Sequence, residues 1–249
     1  RCPEKLNMDT TLLIVLIAFV AFAYAMVGHG GASGYLALMA LAGMSVVVMR
    51  PTALVLNLFV SAISFTQYAR TGHFKWSTFW PFAILSIPAA WFGAHIVLDP
   101  QIYKHILAIC LLFAVARLFG LFGKGGEGIK PVPLIWGLLI GVVLGYVSGM
   151  IGIGGGILLS PVLLLCNWAD MKTTAATSAL FIFVNSTAGV VGAFGNGETL
   201  GASMVPWVIA AVLGGLLGSW IGAKRLNELR LKQALGIVLL FASVKLMMA

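Results

Sequence analysis

Two glycine clusters, each closing an apolar run, constrain the fold of this 249-residue chain more than any other feature. Gly28-His29-Gly30-Gly31 follows the run from Thr11 to Val27, and Gly152-Ile153-Gly154-Gly155-Gly156 follows the run from Leu134 to Ile151. Gly28 and Gly152 lie 124 residues apart, and matches continue beyond them at nearly the same spacing. At an offset of 125, Thr52 faces Thr177, Val60-Ser61 faces Asn185-Ser186, Gly72 faces Gly197, Trp80-Pro81 faces Val205-Pro206 and Gly93 faces Gly218. At an offset of 128, Leu111-Leu112-Phe113-Ala114 recurs as Leu239-Leu240-Phe241-Ala242, with Lys104 opposite Lys232 and Arg117 opposite Lys245. The landmarks keep their order, so the chain reads as one unit duplicated, residues 1–124 and 125–249. Duplicated units of this kind in a membrane belong mostly to transporters.

Composition settles the solvent. With 61% apolar residues, 9% charged residues and a mean hydropathy of +1.05, polar surface is too scarce to cover a water-soluble globule. Apolar segments run over about 11–27, 33–49, 52–69, 77–97, 102–121, 134–151, 157–168, 173–195, 203–223 and 231–248. Several fall short of the roughly 20 residues that cross a bilayer core. They are rich in Leu, Ala and Gly and do not alternate polar with apolar residues, which argues for a helical bundle and against a barrel. The expected fold is an all-α integral membrane bundle of eight to ten segments, two of them short and interrupted by glycine. Arg1, Lys5 and Ala23-Tyr24-Ala25 give the first segment the look of a signal peptide. Segment 134–151 holds the equivalent place in the second unit, so the first helix is expected to be retained. Cys2, Cys110 and Cys166 have no metal or redox spacing and read as small core residues. No metal or cofactor is expected, and the protein is not read as an enzyme.

The net charge of +8 is scattered over short loops, so it marks sidedness and is not a nucleic-acid footprint. If each glycine cluster only kinks a spanning helix, there are eight crossings, and the loops at Arg70/Lys75 and Lys124/Lys130 fall opposite those at Lys172 and Lys224/Arg225/Arg230. If the chain reverses at each cluster, the units are five plus five and all these residues, with Lys232, share one side. The other side then keeps only Arg1, Lys5, Arg50, Lys104 and Lys245. The second arrangement obeys the positive-inside rule better, and an odd number of segments per unit inverts the second copy. Both termini are then expected outside the cytoplasm.

A non-helical turn at membrane depth survives only where it is buried in protein or lines a watery cavity. Glycine admits positive φ and close approach of a ligand to backbone. Each turn should deliver the N-terminus of a short helix, near Ser33 and near Ile157, whose free N–H groups and dipole favour an anion. In an inverted pair the two N-termini can converge near the midplane. Close packing of small residues accounts better for Gly214-Gly215-Leu216-Leu217-Gly218 and Ala89-Ala90.

Gly28-His29-Gly30-Gly31 and Gly152-Ile153-Gly154-Gly155-Gly156, followed by Thr52 and by Thr177-Ser178, with the turns Gly72-His73 and Gly197-Glu198, resemble the TauE/SafE family of sulfite and organosulfonate exporters. The likeness covers nearly the full length and is strongest over Gly149-Met150-Ile151-Gly152-Ile153-Gly154-Gly155-Gly156; His29 and Ala32 depart from the pattern. It implies a secondary transporter of sulfur-containing anions such as sulfite, thiosulfate or sulfoacetate. Such a protein would be an exporter driven by a proton gradient, multi-pass in the inner, cytoplasmic membrane. Its partners would be the small anion and the lipid bilayer.

Polar residues inside apolar segments add neutral donors at depth. They are Thr52, Asn57, Ser61, Ser64, Thr66 and Gln67 in one half and Thr173, Thr174, Thr177, Ser178, Asn185, Ser186 and Thr187 in the other. An amide is costly to bury and can give two hydrogen bonds to an oxyanion, which favours Asn57 and Asn185 as ligands. The expected substrate-binding set is Gly28, His29, Gly30, Gly31, Ser33, Thr52, Asn57, Gly152, Gly154, Gly155, Gly156, Thr177, Ser178, Asn185 and Ser186. Arg50 and Lys172, at segment ends, read as charges at the two mouths. His29 titrates near neutrality and could carry a coupling proton or serve as a hydrogen-bonded spacer. A passive anion channel is the alternative. Gly31-Ala32-Ser33-Gly34 matches a short pattern of rhomboid-type intramembrane serine proteases, but the second copy has no serine at the matching place.

Overall fold

The computed structural model of the chain describes residues 10–96, 98–118, 128–198, 200, 204–224, 240 and 244. Nine helices are defined among them: α1 (Thr10–Ala25), α2 (Ala32–Leu41), α3 (Val46–Arg70), α4 (Trp76–Ala94), α5 (Pro100–Leu118), α6 (Leu134–Ile151), α7 (Gly156–Leu165), α8 (Met171–Gly195) and α9 (Met204–Lys224). No strand occurs among the described residues. A helix satisfies its backbone groups internally, which hydrocarbon demands. By length and composition α3, α6, α8 and α9 can each cross a membrane. α2 and α7 hold 10 residues each, half of the roughly 20 that a crossing needs. The expected segment 231–248, Lys124, Arg225, Arg230 and Cys2 lie outside the described residues, except for positions 240 and 244.

Each short helix follows a glycine turn. Gly28 and Gly31 have φ of +75° and +97°, and Gly152, Gly154 and Gly155 have +87°, +74° and +73°, a left-handed region in which a Cβ costs about 1–2 kcal/mol per residue. The turns fold each short helix back along its predecessor. Tyr24 Oη lies 2.7 Å from Ser33 Oγ, and a Cβ on Gly155 would abut Ser148 and Leu144 of α6. α8 has a different start: Asp170 accepts the Thr173 N–H at 2.7 Å and the Thr173 hydroxyl at 3.0 Å, capping the helix.

Pairwise contacts give the sense of α1, α3, α4, α6, α8 and α9. Gly214, Gly218 and Gly222 of α9 rise in step with Ala18, Phe22 and Met26 at the α1 side. Tyr68, near the end of α3, donates to the Met26 carbonyl at 2.6 Å, and Val60 packs on Gly215. α1, α3 and α9 are therefore parallel. Gly141, Gly145 and Gly149 of α6 rise in step with Phe82, Ser86 and Ala90 of α4. Gly192 of α8 meets Ala94 at the end of α4, while Trp168, just ahead of α8, meets Phe82. α4, α6 and α8 are therefore parallel as well. The two groups oppose one another, because Asn57 of α3 bonds Ser186 of α8 while Leu54 packs on Gly189.

The repeat counterparts α1 and α6, α3 and α8, and α4 and α9 thus run in opposite senses: the repeat is inverted. Since α1 and α3 are parallel, α2 carries the chain back toward the face where α1 began, so the first cluster reverses the chain instead of kinking one helix. Seams α4–α6 and α1–α9 are equivalent: α6 and α9 of the second half supply most of their glycines, and Gly93 of α4 adds one against the Tyr146 carbonyl. A Cβ at Gly141, Gly145 or Gly149 would strike the carbonyl oxygens of Phe82, Ser86 or Ala90. Small residues allow this backbone contact, which supplies packing where lipid removes the hydrophobic drive between helices. The opposite faces are apolar and exposed, with Ile135, Leu139 and Val143 on α6 and Val205, Ile209 and Leu213 on α9. They face lipid. Cys110 is buried, whereas Cys166, expected in the core, is exposed after α7.

Candidate functional site

Asn57 joins the two glycine turns at the centre of the bundle. Fully buried on α3, it accepts the Ala32 N–H through Oδ1 at 3.2 Å, capping α2 from another helix. Its Nδ2 donates to the Ile153 carbonyl at 3.4 Å and to Ser186 Oγ at 3.0 Å. One amide therefore ties the first turn, the second turn and α8. The fit depends on glycine: a Cβ on Gly30 would fall on Asn57 Oδ1, and one on Gly154 would meet Asn57 Nδ2 and Ser186 Oγ. An unpaired amide in hydrocarbon costs several kcal/mol, roughly, so these bonds specify the arrangement.

His29 crosses between the halves. Its Nδ1 lies 2.8 Å from the Val27 carbonyl, which can only accept, so Nδ1 carries a hydrogen. Its Nε2 lies 2.9 Å from Ser160 Oγ on α7, which also meets the Gly156 carbonyl at 2.9 Å and Ser178 Oγ at 2.7 Å. With a neutral ring, the single Ser160 hydroxyl hydrogen can serve Nε2 or the Gly156 carbonyl, but not both. With a protonated ring, Nε2–H donates to Ser160, Ser160 donates to Gly156, and Ser178 donates to Ser160. One chain of hydrogen bonds thus joins His29 to Ser160 and Ser178. Ser33, the serine of the Gly31-Ala32-Ser33-Gly34 pattern, pairs with Tyr24 and not with a histidine.

A cavity about the size of one water, roughly 10 Å³ for a water's centre, lies at this junction. Its polar wall is Tyr24, His29, Ser33 and Asn57, with the backbone of Gly30 and Gly31; its apolar wall is Ile153, Ile157 and Ile182. The polar side comes from the first half and the apolar side from the second. At an offset of 125, Ile182 stands where a symmetric repeat would repeat Asn57.

Of the residues singled out from the sequence, His29, Gly30, Gly31, Ser33 and Asn57 line the cavity, and Gly154, Gly156, Ser178 and Ser186 adjoin it through the contacts just described. Gly28 packs on Ala175, Gly152 on Arg50 and Gly155 on Phe181. Thr52 and Thr177 are buried on α3 and α8 and do not line the cavity. Asn185 donates to the Phe181 carbonyl of its own helix at 2.8 Å. Tyr24 and Ser160 were not singled out. Ser160 carries a readable signal, since it sits four residues after Gly156 inside an apolar helix.

The two charges expected at the mouths differ. Lys172 is exposed on the first turn of α8. Arg50 is buried, 3% exposed, and does not reach water. It pairs with Glu198 through Nε at 3.2 Å and through Nη2, and donates to the carbonyls of Ala94 at 2.8 Å, Ile96 at 3.1 Å and Met150 at 3.2 Å. Burial pushes the Glu198 carboxyl above its usual range, and Arg50 pulls against that shift. At Asp170, burial pushes upward too, but the Thr173 hydrogen bonds, helped by the charge of Lys75, outweigh it and hold the carboxyl below its usual range. Among the described residues no group of His, Cys, Asp and Glu is arranged to hold a metal ion.

Comparison with known proteins places the chain among membrane transporters. Residues 13–246 match the family described as Sulfite exporter TauE/SafE. The chain is 39% identical over 246 residues to the probable membrane transporter protein y4hK of Sinorhizobium fredii, covering 96% of this chain and all of that protein. It is 29% identical over 227 residues to the probable membrane transporter protein ORF9 of a Sinorhizobium species, covering 89% and 83% of the two chains. It is 35% identical over 88 residues to the probable membrane transporter protein YunE of Bacillus subtilis, covering 35% and 29%. No solved structure matches. An inverted helical bundle with lipid-facing flanks, matched along nearly its whole length, identifies a multi-pass membrane transporter, and the chain belongs to the Sulfite exporter TauE/SafE family.

Proposed function

We propose that the protein exports small sulfur-containing anions, such as sulfite, thiosulfate or sulfoacetate, across the cytoplasmic membrane, coupled to a proton gradient. Asn57 carries this reading: it brings both glycine turns, and with them the start of α2, to one buried point of neutral donors. Neutral donors and helix dipoles bind an oxyanion without the strong Coulomb attraction of a buried cation, which suits release as well as capture. The isoleucine wall faces these donors and suits a sulfonate with a short carbon end. A cavity the size of one water means that the site must widen to admit any of these anions. The halves, residues 1–124 and 125–249, then act as the two moving units, with the Arg70–Lys75 and Lys172 loops in the cytoplasm and both termini outside.

Flux of sulfoacetate and of sulfite into and out of proteoliposomes, with and without an imposed proton gradient, tests the proposal. Coupled export predicts accumulation against the anion gradient when the proton gradient is applied. Flux that only follows the anion's own gradient would make the protein a channel, and absence of flux for sulfur anions would overturn the substrate class.

A further inference from the structure

At the mouth formed by the ends of α4, α6 and α8, a guanidinium is buried where the repeat places an alanine. An offset of 125 sets Arg50 opposite Ala175. Each abuts the first glycine of a turn, Ala175 on Gly28 and the Arg50 Cγ on Gly152. An apolar contact thus suffices at one mouth, whereas the other holds a buried charge.

The Arg50 partners fall into two kinds. Ala94 ends α4, Ile96 follows it by two residues and Met150 lies in the last turn of α6, so these carbonyls cluster at the negative ends of two helix dipoles and hold a cation by themselves. Glu198 comes from the turn after α8 and is 10% exposed. Its two oxygens lie on the Nε–Nη2 edge of the guanidinium, the fork that Arg presents to any anion offering a pair of oxygens. A sulfonate, sulfite or sulfate offers the same pair. The position also lies on the way to the cavity: Gly152 touches Arg50, and Ile153, the next residue, lines the cavity and accepts from Asn57.

We propose that the Nε–Nη2 edge of Arg50 is a second oxyanion station, filled by the Glu198 carboxylate while this mouth is closed and by two oxygens of the transported anion when Glu198 leaves. It rests on the reading of the chain as an anion transporter. Glu198 is then a tethered stand-in for substrate, closing the mouth only when no anion occupies Arg50. A purely structural ion pair would have no reason to yield to a free anion.

Ile153→Cys, in a chain lacking Cys2, Cys110 and Cys166, reports access to the cavity through its rate of reaction with a membrane-impermeant maleimide. Added from the side of the Glu198 turn, the reagent should react about tenfold or more faster when Glu198→Gln is also present, because a buried charge loses its partner. Sulfate should slow that reaction relative to chloride at equal ionic strength. Glu198→Asp should stay near the parent rate. An unchanged rate in Glu198→Gln, or an equal increase from both sides of the membrane, would overturn the station as a closed mouth; no sulfate protection would overturn it as an anion site. If Glu198→Gln does not accumulate, Arg50→Lys, which keeps the charge but loses the fork, should give faster reaction without sulfate protection, and parent-like behaviour there counts against the proposal. Sulfate is a probe of oxygen-pair chemistry and need not be transported, so failure of sulfonate flux in the native chain would remove the proposed function without deciding this result.

Discussion

His29 Nε2 lies 2.9 Å from Ser160 Oγ although 131 positions separate them in sequence. The ring of one half is therefore hydrogen-bonded to a hydroxyl of the other. His29→Gln keeps a donor and an acceptor but cannot take a proton, so substrate binding should persist while the response of flux to an imposed pH gradient disappears. Ser160→Ala should weaken that response without abolishing it. Anion affinity measured beside gradient-driven flux checks both, and an unaltered gradient response in His29→Gln would remove the ring as proton carrier.

Gly30 tests close approach without backbone strain, since its φ is not positive and the obstacle to a Cβ is Asn57. Gly30→Ala should displace the amide, break its bond to Ala32 and lower flux by about tenfold or more, an effect of roughly 1–3 kcal/mol for stranding a buried polar group. Gly155→Val, at φ +73°, should abolish flux. Both proteins should still reach the membrane, as quantitative blotting of membrane fractions would record.

The α4–α6 seam should respond differently. Gly145→Val drives a branched side chain into the Ser86 backbone and should destabilise the bundle by about 1–3 kcal/mol. A fall in melting temperature in detergent, with anion affinity preserved in the protein that remains folded, is the expected result. Native-like melting would deny the seam its packing role.

Asp170 gives an acid limb to stability. Its folded pKa is lowered, so its contribution is fully present above the unfolded carboxylate value of about 3.9 and is lost as pH falls through the folded value. Asp170→Asn should keep the cap on α8 but flatten this limb, whereas Asp170→Ala should cost about 1 kcal/mol at neutral pH. Thermal unfolding of the three proteins from neutral pH down to below about 3.9, the unfolded carboxylate value, compares them.

His73 reports sidedness. In a chain without native cysteines, His73→Cys should react with an impermeant maleimide only after cells are opened, because the Arg70–Lys75 loop is assigned to the cytoplasm by charge. Reaction in intact cells would reverse the assigned orientation while leaving the inverted pairing of helices untouched.

Much of the fold is legible in the chain because membrane constraints are written in composition and spacing. The offset of 125 carries the order of elements from one half to the other, and glycine at Gly28 and Gly152 marks turns that only a buried or wet site tolerates. The inverted sense also follows from counting segments and charges, and α3 and α8 run in opposite senses in the structure, Asn57 meeting Ser186 and Leu54 meeting Gly189. The site is harder to read, because a repeat predicts symmetric partners and the contacts are not symmetric. Nothing in the spacing distinguishes Asn57, which ties the turns together, from Asn185, whose amide turns back on its own helix.

By itself the sequence determined a duplicated, inverted helical membrane protein, with glycine turns as the places where backbone must bend at depth. The tertiary structure decided which side chains meet there: Asn57 between the turns, His29 on Ser160, and Arg50 held by Glu198 instead of facing water. The physical reason is one of range. Hydropathy and backbone conformation act locally and leave a periodic trace in the chain. Pairing of buried polar groups depends on which helices are packed together, and these pairs lie from 96 to 148 positions apart.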